Sequence, residues 1–124
     1  MIYTSYFAKL KQIDKDITPI AICAEIPPWF QGFSYRRLAP TWTMLSEYKR
    51  TNNQYMYEFL YRRNILGMLN AKQVEEDLMR MSGGKDVVLL CYENPQAFCH
   101  RHLVRDWFRE HDILCEEYTK GENV

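Results

Sequence analysis

Two nearly unbroken apolar runs constrain the fold of this chain more than any other feature. They cover residues 20–24 and residues 87–92. Strands with one face in water alternate apolar and polar side chains, whereas strands covered on both faces are apolar throughout, as in parallel sheets. The two runs therefore predict buried strands of a parallel sheet.

Two further runs, residues 2–7 and 113–118, also have strand character, and helical patterns separate the four. The predicted helices cover residues 8–15, 41–49, 54–66, 70–82 (capped by Asn70 and ended by Gly83-Gly84) and 94–110 (opened by Asn94-Pro95). Residues 27–33 are predicted to form an ordered loop. This order indicates an α/β fold with a small open, mostly parallel sheet of about four strands flanked by helices. We expect residues 1–118 to form a single domain and residues 119–124 a frayed tail.

Composition and charge argue against several classes of protein. The chain has 16 Lys and Arg residues against 16 Asp and Glu residues, so it lacks the basic footprint of a broad nucleic-acid surface. It has no apolar run near the ~20 residues of a membrane helix, and its first residues do not resemble a signal peptide. We therefore expect a cytoplasmic protein without a membrane partner. Its four cysteines are then expected to be reduced, with Cys23 and Cys115 packed in the core.

Residues 91–102 contain the densest set of reactive side chains, and they link the third predicted strand to the last helix. The set is Cys91, Glu93, Cys99, His100, Arg101 and His102. Open α/β sheets bind ligands at the carboxyl ends of their strands, which is where such a junction lies. The ends of the first two strands should converge on the same edge, which brings in Thr4, Ser5, Tyr6, Cys23 and Glu25.

The position of Cys99 in the last helix has two alternatives. If that helix begins at Asn94, Cys99 lies in its second turn. If residues 95–98 form a separate turn, Cys99 stands at the start of the helix. There the unpaired amides and the macrodipole favour a thiolate or a bound anion.

Three interpretations of the motif are open. In the first, Cys99 is a nucleophile, Glu93 or His100 handles protons, and Arg101 binds an anionic group of the substrate. In the second, the two cysteines and the two histidines of the motif bind zinc, although their spacing matches no familiar paired-cysteine knuckle. In the third, the residues are structural, with packed thiols and an ion pair between Glu93 and Arg101.

The sequence favours a small enzyme or ligand-binding protein that acts on an anionic substrate, such as a nucleotide, a nucleobase or a nucleic-acid end. The catalytic candidates are Cys99, Glu93 and His100. The candidates for substrate binding are Arg101, Cys91, Thr4, Ser5 and Tyr6. The alternative is a non-enzymatic interaction or nucleic-acid-associated module in which the motif is structural or metal-binding. The sequence identifies neither a cofactor nor an oligomeric state.

The motif also resembles a known family. Residues 89–95 (Leu-Leu-Cys-Tyr-Glu-Asn-Pro) and 98–103 (Phe-Cys-His-Arg-His-Leu) are similar to the hallmark of the uncharacterised DUF 488 domain family. The resemblance implies an α/β fold with a site at the two cysteines, Glu93, His100 and Arg101. Many members have an aspartate and an arginine at the end of the second strand, where this chain has Cys23-Ala24-Glu25. The resemblance therefore implies a different substrate, or the use of Arg36 in place of that arginine.

Overall fold

The protein has an open, five-stranded, entirely parallel sheet. The computed structural model describes residues 1–92 and 99–119. The strands are β1 (Ile2–Tyr6), β2 (Thr18–Ala21), β3 (Phe33–Ser34), β4 (Val87–Cys91) and β5 (Cys115–Glu117), in the order β3-β2-β4-β1-β5. The predicted α/β class and parallel sheet are confirmed. The additional strand, β3, begins at the end of the segment that was expected to be a loop.

Within the described residues, four α-helices connect the strands. They are α1 (Trp42–Thr51), α2 (Gln54–Asn64), α3 (Ala71–Ser82) and α4 (His100–Glu110). Residues Phe7–Gln12 form a 3-10 helix rather than the expected α-helix, and shorter 3-10 turns cover Arg36–Leu38 and Leu66–Met68. The predicted limits of α3 are confirmed, because the Asn70 side chain accepts a hydrogen bond from the Gln73 amide and Gly83 ends the helix with a φ of 69°.

The sheet is covered on both faces, as the apolar runs predicted. All five residues of β4 are buried. Val87 and Leu89 belong to the larger core cluster, to which α1, α2, α3 and α4 contribute. Val88 and Leu90 belong to a smaller cluster on the other face, which includes Phe7 of the 3-10 helix. The side chains of β4 therefore pack against apolar residues on both faces of the sheet.

Helix α2 buries a different side from the one its apolar residues suggested. The spacing of Met56, Phe59, Leu60 and Arg63 predicts one mixed amphipathic face. Leu60 is partly buried against the core, but Met56 and Phe59 are 46% and 49% exposed. Tyr57 and Tyr61 are buried instead. The hydroxyl of Tyr61 donates to the carbonyl oxygen of Leu38 at 2.5 Å, so its polar end is satisfied inside the core.

The parallel topology brings the carboxyl ends of the strands to one edge. Tyr6 pairs with Cys91, and Ala21 pairs with Leu90. The site is therefore expected at this edge. In the part of the chain that the structure describes, no helix combines the length and the apolar character needed to cross a bilayer. Of the predicted tail, only Thr119 lies within the described residues, so its fraying stays a prediction.

Candidate functional site

The motif lies where β4 ends and α4 begins. Cys91 is the last residue of β4, and Cys99 is the N-cap of α4, in an extended conformation. Of the two alternatives for Cys99, the structure therefore has the one at the start of the helix. Glu93 and the predicted cap at Asn94 lie outside the described residues. The catalytic role of Glu93 stays a prediction.

The two cysteines of the motif face each other across a sequence separation of eight residues. Their sulfur atoms lie within bonding distance, while their Cα atoms are 7.4 Å apart, wider than disulfides usually span. Cys91 and Cys99 are therefore placed as a pair that can form a disulfide, and the expectation that all four cysteines are reduced stays a prediction. Strand and helix bring the two sulfur atoms together in a way that spacing alone does not reveal. Cys23 and Cys115 are free and buried, which confirms their predicted place in the core.

His100 connects the cysteine pair to the end of β2. Its Nε2 lies 2.6 Å from the carbonyl oxygen of Ile22, and its Nδ1 lies 3.7 Å from Cys99 Sγ. A carbonyl oxygen only accepts hydrogen bonds, so we assign the ring proton to Nε2 and a lone pair to Nδ1. Burial lowers the pKa of His100 to about 4, and the positive charge of Arg101 adds to this effect. At neutral pH the ring is therefore uncharged, and its lone pair faces the sulfur.

The ring of His100 is fixed from the side of α2. Tyr61 packs against it edge to face, with 5.4 Å between the ring centroids. Tyr61 is itself held by its hydrogen bond to Leu38 and by stacking on Tyr57. These contacts hold the imidazole in the orientation that presents Nδ1 to the sulfur.

Arg101 is fully buried and engaged by protein groups. Its Nε and Nη2 each donate to a different carboxylate oxygen of Glu117 at 3.1 Å, and its Nη1 lies 3.1 Å from Cys91 Sγ. The guanidinium carbon is also 5.5 Å from the centroid of the Tyr6 ring. The guanidinium thus faces protein partners, and contact with a substrate anion stays a prediction.

The end of β1 supports this ion pair. The hydroxyl of Thr4 donates to Glu117 at 2.7 Å, and Tyr6 lies against the guanidinium. Ser5 is buried, and its hydroxyl has no hydrogen-bond partner among the described residues. None of these three side chains lines the cleft described next, and their predicted role in substrate binding stays a prediction.

A cleft of about 390 Å³ opens over the cysteine pair. Cys91, Cys99 and His100 line it together with residues from the end of β2 and from the helical insert. The remaining lining residues are Cys23, Ala24, Glu25, Pro40, Trp42, Leu45, Tyr48, Lys49, Tyr57 and Tyr92. The contribution of α1 and α2 was missed by sequence reasoning. Their aromatic residues look like ordinary core positions until tertiary packing places them beside the motif.

Cys23 provides an internal contrast with the pair. It also lines the cleft, and its Sγ donates to the carbonyl oxygen of Glu25 at 3.1 Å. Burial raises the pKa of Cys23 to about 11, and Arg36 offsets this only in part. This thiol is therefore protonated at neutral pH and is a poor nucleophile.

The positive charge of Arg101 beside the cysteine pair argues against a metal site. Among the described residues, Cys91, Cys99 and His100 offer ligand atoms that lie within 4.8 Å of one another, and this group does not include His102. The Arg101 guanidinium lies 3.1 Å from Cys91 Sγ, where it would repel a second cation. The arrangement is better suited to reactions of the cysteine sulfur atoms than to binding of a metal ion.

Comparison with known proteins identifies the family. A family model described as "DUF488-N3a: Active DUF488-N3 subclade" matches residues 9–112, which include the described part of the site from Cys23 to Arg101. No curated protein and no solved structure gives a significant match. The match covers most of the sequence and agrees with the motif. The chain belongs to the DUF488 family.

Proposed function

We propose that the protein is an enzyme in which Cys99, in its reduced form, attacks an electrophilic centre of an anionic, ring-bearing substrate. One observation carries the proposal. His100 Nδ1 lies 3.7 Å from Cys99 Sγ, while Nε2 of the same ring is held 2.6 Å from the Ile22 carbonyl. This geometry gives the thiol a hydrogen-bond acceptor with a fixed orientation.

The start of α4 supplies the rest of the activation. Cys99 is the N-cap of an 11-residue helix, where unpaired amides and the macrodipole favour a thiolate. The low pKa of His100 keeps Nδ1 free of a proton at neutral pH, but it also makes the ring a weak base. His100 therefore orients the thiol. It takes the proton from Sγ only as sulfur bonds to the electrophilic centre, while the bond between that centre and its leaving group breaks and the leaving group departs with the electron pair.

The walls of the cleft favour a substrate with a flat ring and a negative charge. Trp42, Tyr48 and Tyr57 offer aromatic surface, and Lys49 offers a cation at the helical wall, while the carboxylate of Glu25 belongs to the wall formed after β2. Trp42 is 60% exposed, so its ring is available to a ligand. A nucleotide, a nucleobase or a nucleic-acid end matches this combination. Lys49 is better placed than the buried Arg101 to contact the anion, and we assign Arg101 a positioning role.

The family match supports an enzyme rather than a structural module, because the description of the matching subclade calls it active. The balanced charge of the chain also argues against broad binding to nucleic acid. An interaction module would use the motif only for packing. It would not need a nucleophile that faces a cleft.

Protection from alkylation tests the proposal. The reduced protein is treated with iodoacetamide in the presence of a nucleoside 5′-monophosphate, and then with the matching nucleoside, which lacks the phosphate. The alkylation of each cysteine is followed by mass spectrometry of its tryptic peptide. We expect the monophosphate to slow alkylation of Cys99 more than the nucleoside does. The buried Cys115 serves as the control, because a ligand in the cleft leaves it unaffected.

Equal alkylation of Cys99 with and without either ligand would contradict the proposed substrate class. Alkylation of Cys99 no faster than that of a free model thiol would contradict its role as an activated nucleophile. In that case the interaction module becomes the better account of the motif.

A further inference from the structure

We propose that Cys91 and Cys99 form a thiol–disulfide exchange centre for low-molecular-weight thiols, with Cys99 as the attacked sulfur and Cys91 as the resolving sulfur. The inference rests on the proposed function for the reactivity of Cys99. It adds an activity and a second reacting residue. The two sulfur atoms lie within bonding distance of each other, and both residues, although only 2% and 5% exposed, line the same cleft. A small thiol would approach the pair through this cleft.

The two sulfur atoms have different neighbours, and this difference sets the direction of exchange. Cys99 lies at the start of α4 beside His100. Cys91 lies at the end of β4 and receives a hydrogen bond of 3.1 Å from the Arg101 guanidinium. A charge-assisted hydrogen bond stabilises a thiolate, and a more stable thiolate is a better leaving group. The start of α4 also stabilises a thiolate at Cys99, but Cys91 receives its hydrogen bond from a full positive charge, so we assign attack to Cys99 and departure to Cys91.

Arg101 keeps this contact because it is locked in place. Its other two donor atoms bind Glu117, and its side chain is fully buried. The guanidinium therefore does not have to reorganise when the Cys91 thiolate appears. Arg101 is a positioning residue in this scheme, since it contacts the resolving sulfur and does not itself exchange electrons.

The exchange balances as follows. A thiolate RS⁻ attacks Cys99 Sγ, the bond between Cys91 and Cys99 breaks, and Cys91 leaves as a thiolate. A second RS⁻ attacks the sulfur of the bound R group, which forms RSSR and releases Cys99 as a thiolate. Two molecules of thiol are oxidised and the protein disulfide is reduced by two electrons. In the reverse direction, RSSR oxidises the pair and Cys91 displaces RS⁻ from Cys99.

The chain is well suited to a direct test. Trypsin cleavage after Lys85 and Arg101 places both sulfur atoms of the pair in one peptide, while Cys23 and Cys115 fall in two others. The full chain is equilibrated with reduced and oxidised glutathione at graded ratios, quenched with acid, and then labelled with a maleimide in denaturant near neutral pH. We expect the 86–101 peptide to change reversibly from doubly labelled to unlabelled. The peptides of Cys23 and Cys115 should stay labelled throughout.

Two matched variants test the assigned roles. In Cys91→Ser the resolving sulfur is lost, so a mixed disulfide between Cys99 and glutathione should accumulate. Cys99→Ser should show a much smaller adduct on Cys91. Cys23→Ser is the control, and it should leave the titration of the pair unchanged. The titration of the unmodified chain does not depend on any variant folding.

Several results would overturn the proposal. One is a pair that stays doubly labelled at every glutathione ratio, and another is equal adducts in the two variants. A third is near-stoichiometric zinc in the reduced protein with no disulfide formation in oxidised glutathione. Exchange without rapid alkylation of Cys99 would contradict the proposed enzyme but not the exchange centre. Rapid alkylation without exchange would contradict only the exchange centre.

Discussion

Arg101 and Glu117 form a bidentate ion pair that connects the start of α4 to β5. Both hydrogen bonds measure 3.1 Å, and the arginine side chain is 0% exposed against 18% for the glutamate. Thr4 of β1 adds a third contact to the same carboxylate. The pair therefore connects β1, β5 and α4 directly behind the cysteine pair.

Removal of the carboxylate should destabilise the fold strongly. We predict that Glu117→Ala lowers the free energy of unfolding by about 3 kcal/mol, because it removes a doubly hydrogen-bonded counter-charge from a buried guanidinium. Urea denaturation monitored by circular dichroism measures the change. Glu116→Ala is the control, since Glu116 is an exposed neighbour on the same strand. Equal losses in the two variants would show that the ion pair contributes nothing specific.

The hydroxyl of Tyr61 should contribute to the stability of the fold, because it makes a hydrogen bond inside the core. We predict that Tyr61→Phe lowers the free energy of unfolding by about 1–3 kcal/mol, because the carbonyl of Leu38 loses its buried donor. Tyr55→Phe on the same helix removes a hydroxyl from a side chain that is 78% exposed, and it should have little effect. Thermal or urea unfolding of the two variants makes the comparison, and indistinguishable stabilities would refute the prediction.

His100 should make the fold sensitive to mild acid. Burial lowers the pKa of His100 from 6.5 to about 4. Between these values the unfolded chain binds a proton that the native state does not. The free energy of unfolding should therefore fall, as the pH drops through this range, by up to about 1.4 kcal/mol per unit from this group alone.

His100→Gln isolates this contribution, because glutamine can still donate to the Ile22 carbonyl but does not titrate. We predict that urea denaturation from about pH 7 to about pH 5 shows a steeper loss of stability in the unmodified protein than in the variant. Parallel losses would mean that His100 takes up its proton over the same pH range in the native and unfolded states, so that burial does not lower its pKa.

Lys49 should contribute charge to ligand binding. We predict that Lys49→Ala weakens binding of a nucleoside 5′-monophosphate by up to roughly fivefold, because an exposed charge pair contributes at most about 1 kcal/mol. The effect should shrink at high salt. Titration calorimetry measures the affinity. Lys11→Ala is the control, since Lys11 lies on the 3-10 helix away from the cleft, and equal weakening by both substitutions would argue against a local contact.

Much of the fold could be predicted because its signals are local. The apolar runs identified β2 and β4, and Asn70 and Gly83 marked the ends of α3. The β3 strand has only two residues, so its pattern is too short to recognise. The inner side of α2 was hidden because tyrosine is neither clearly apolar nor clearly polar. Its burial depends on a hydrogen-bond partner in another segment.

Several residues of the site could be predicted from the sequence, but the contacts between them could not. The motif identified Cys99 and His100 as neighbours at one edge of the sheet, and the structure places them there. The partner of Arg101 was hidden because Glu117 belongs to a strand sixteen residues further along the chain. Lys49 was missed because nothing in its local sequence distinguishes it from any exposed lysine. Such contacts depend on tertiary packing and have no local signature.

The rate at which Cys99 is alkylated in the reduced protein tests the central claim most directly. Rates are measured with iodoacetamide near neutral pH for Cys99 and Cys23, in the unmodified protein and in His100→Gln. The account predicts that Cys99 reacts much faster than Cys23, whose raised pKa keeps it protonated, and that the substitution slows Cys99. Equal rates at the two cysteines, or a rate at Cys99 that does not change in His100→Gln, would contradict it.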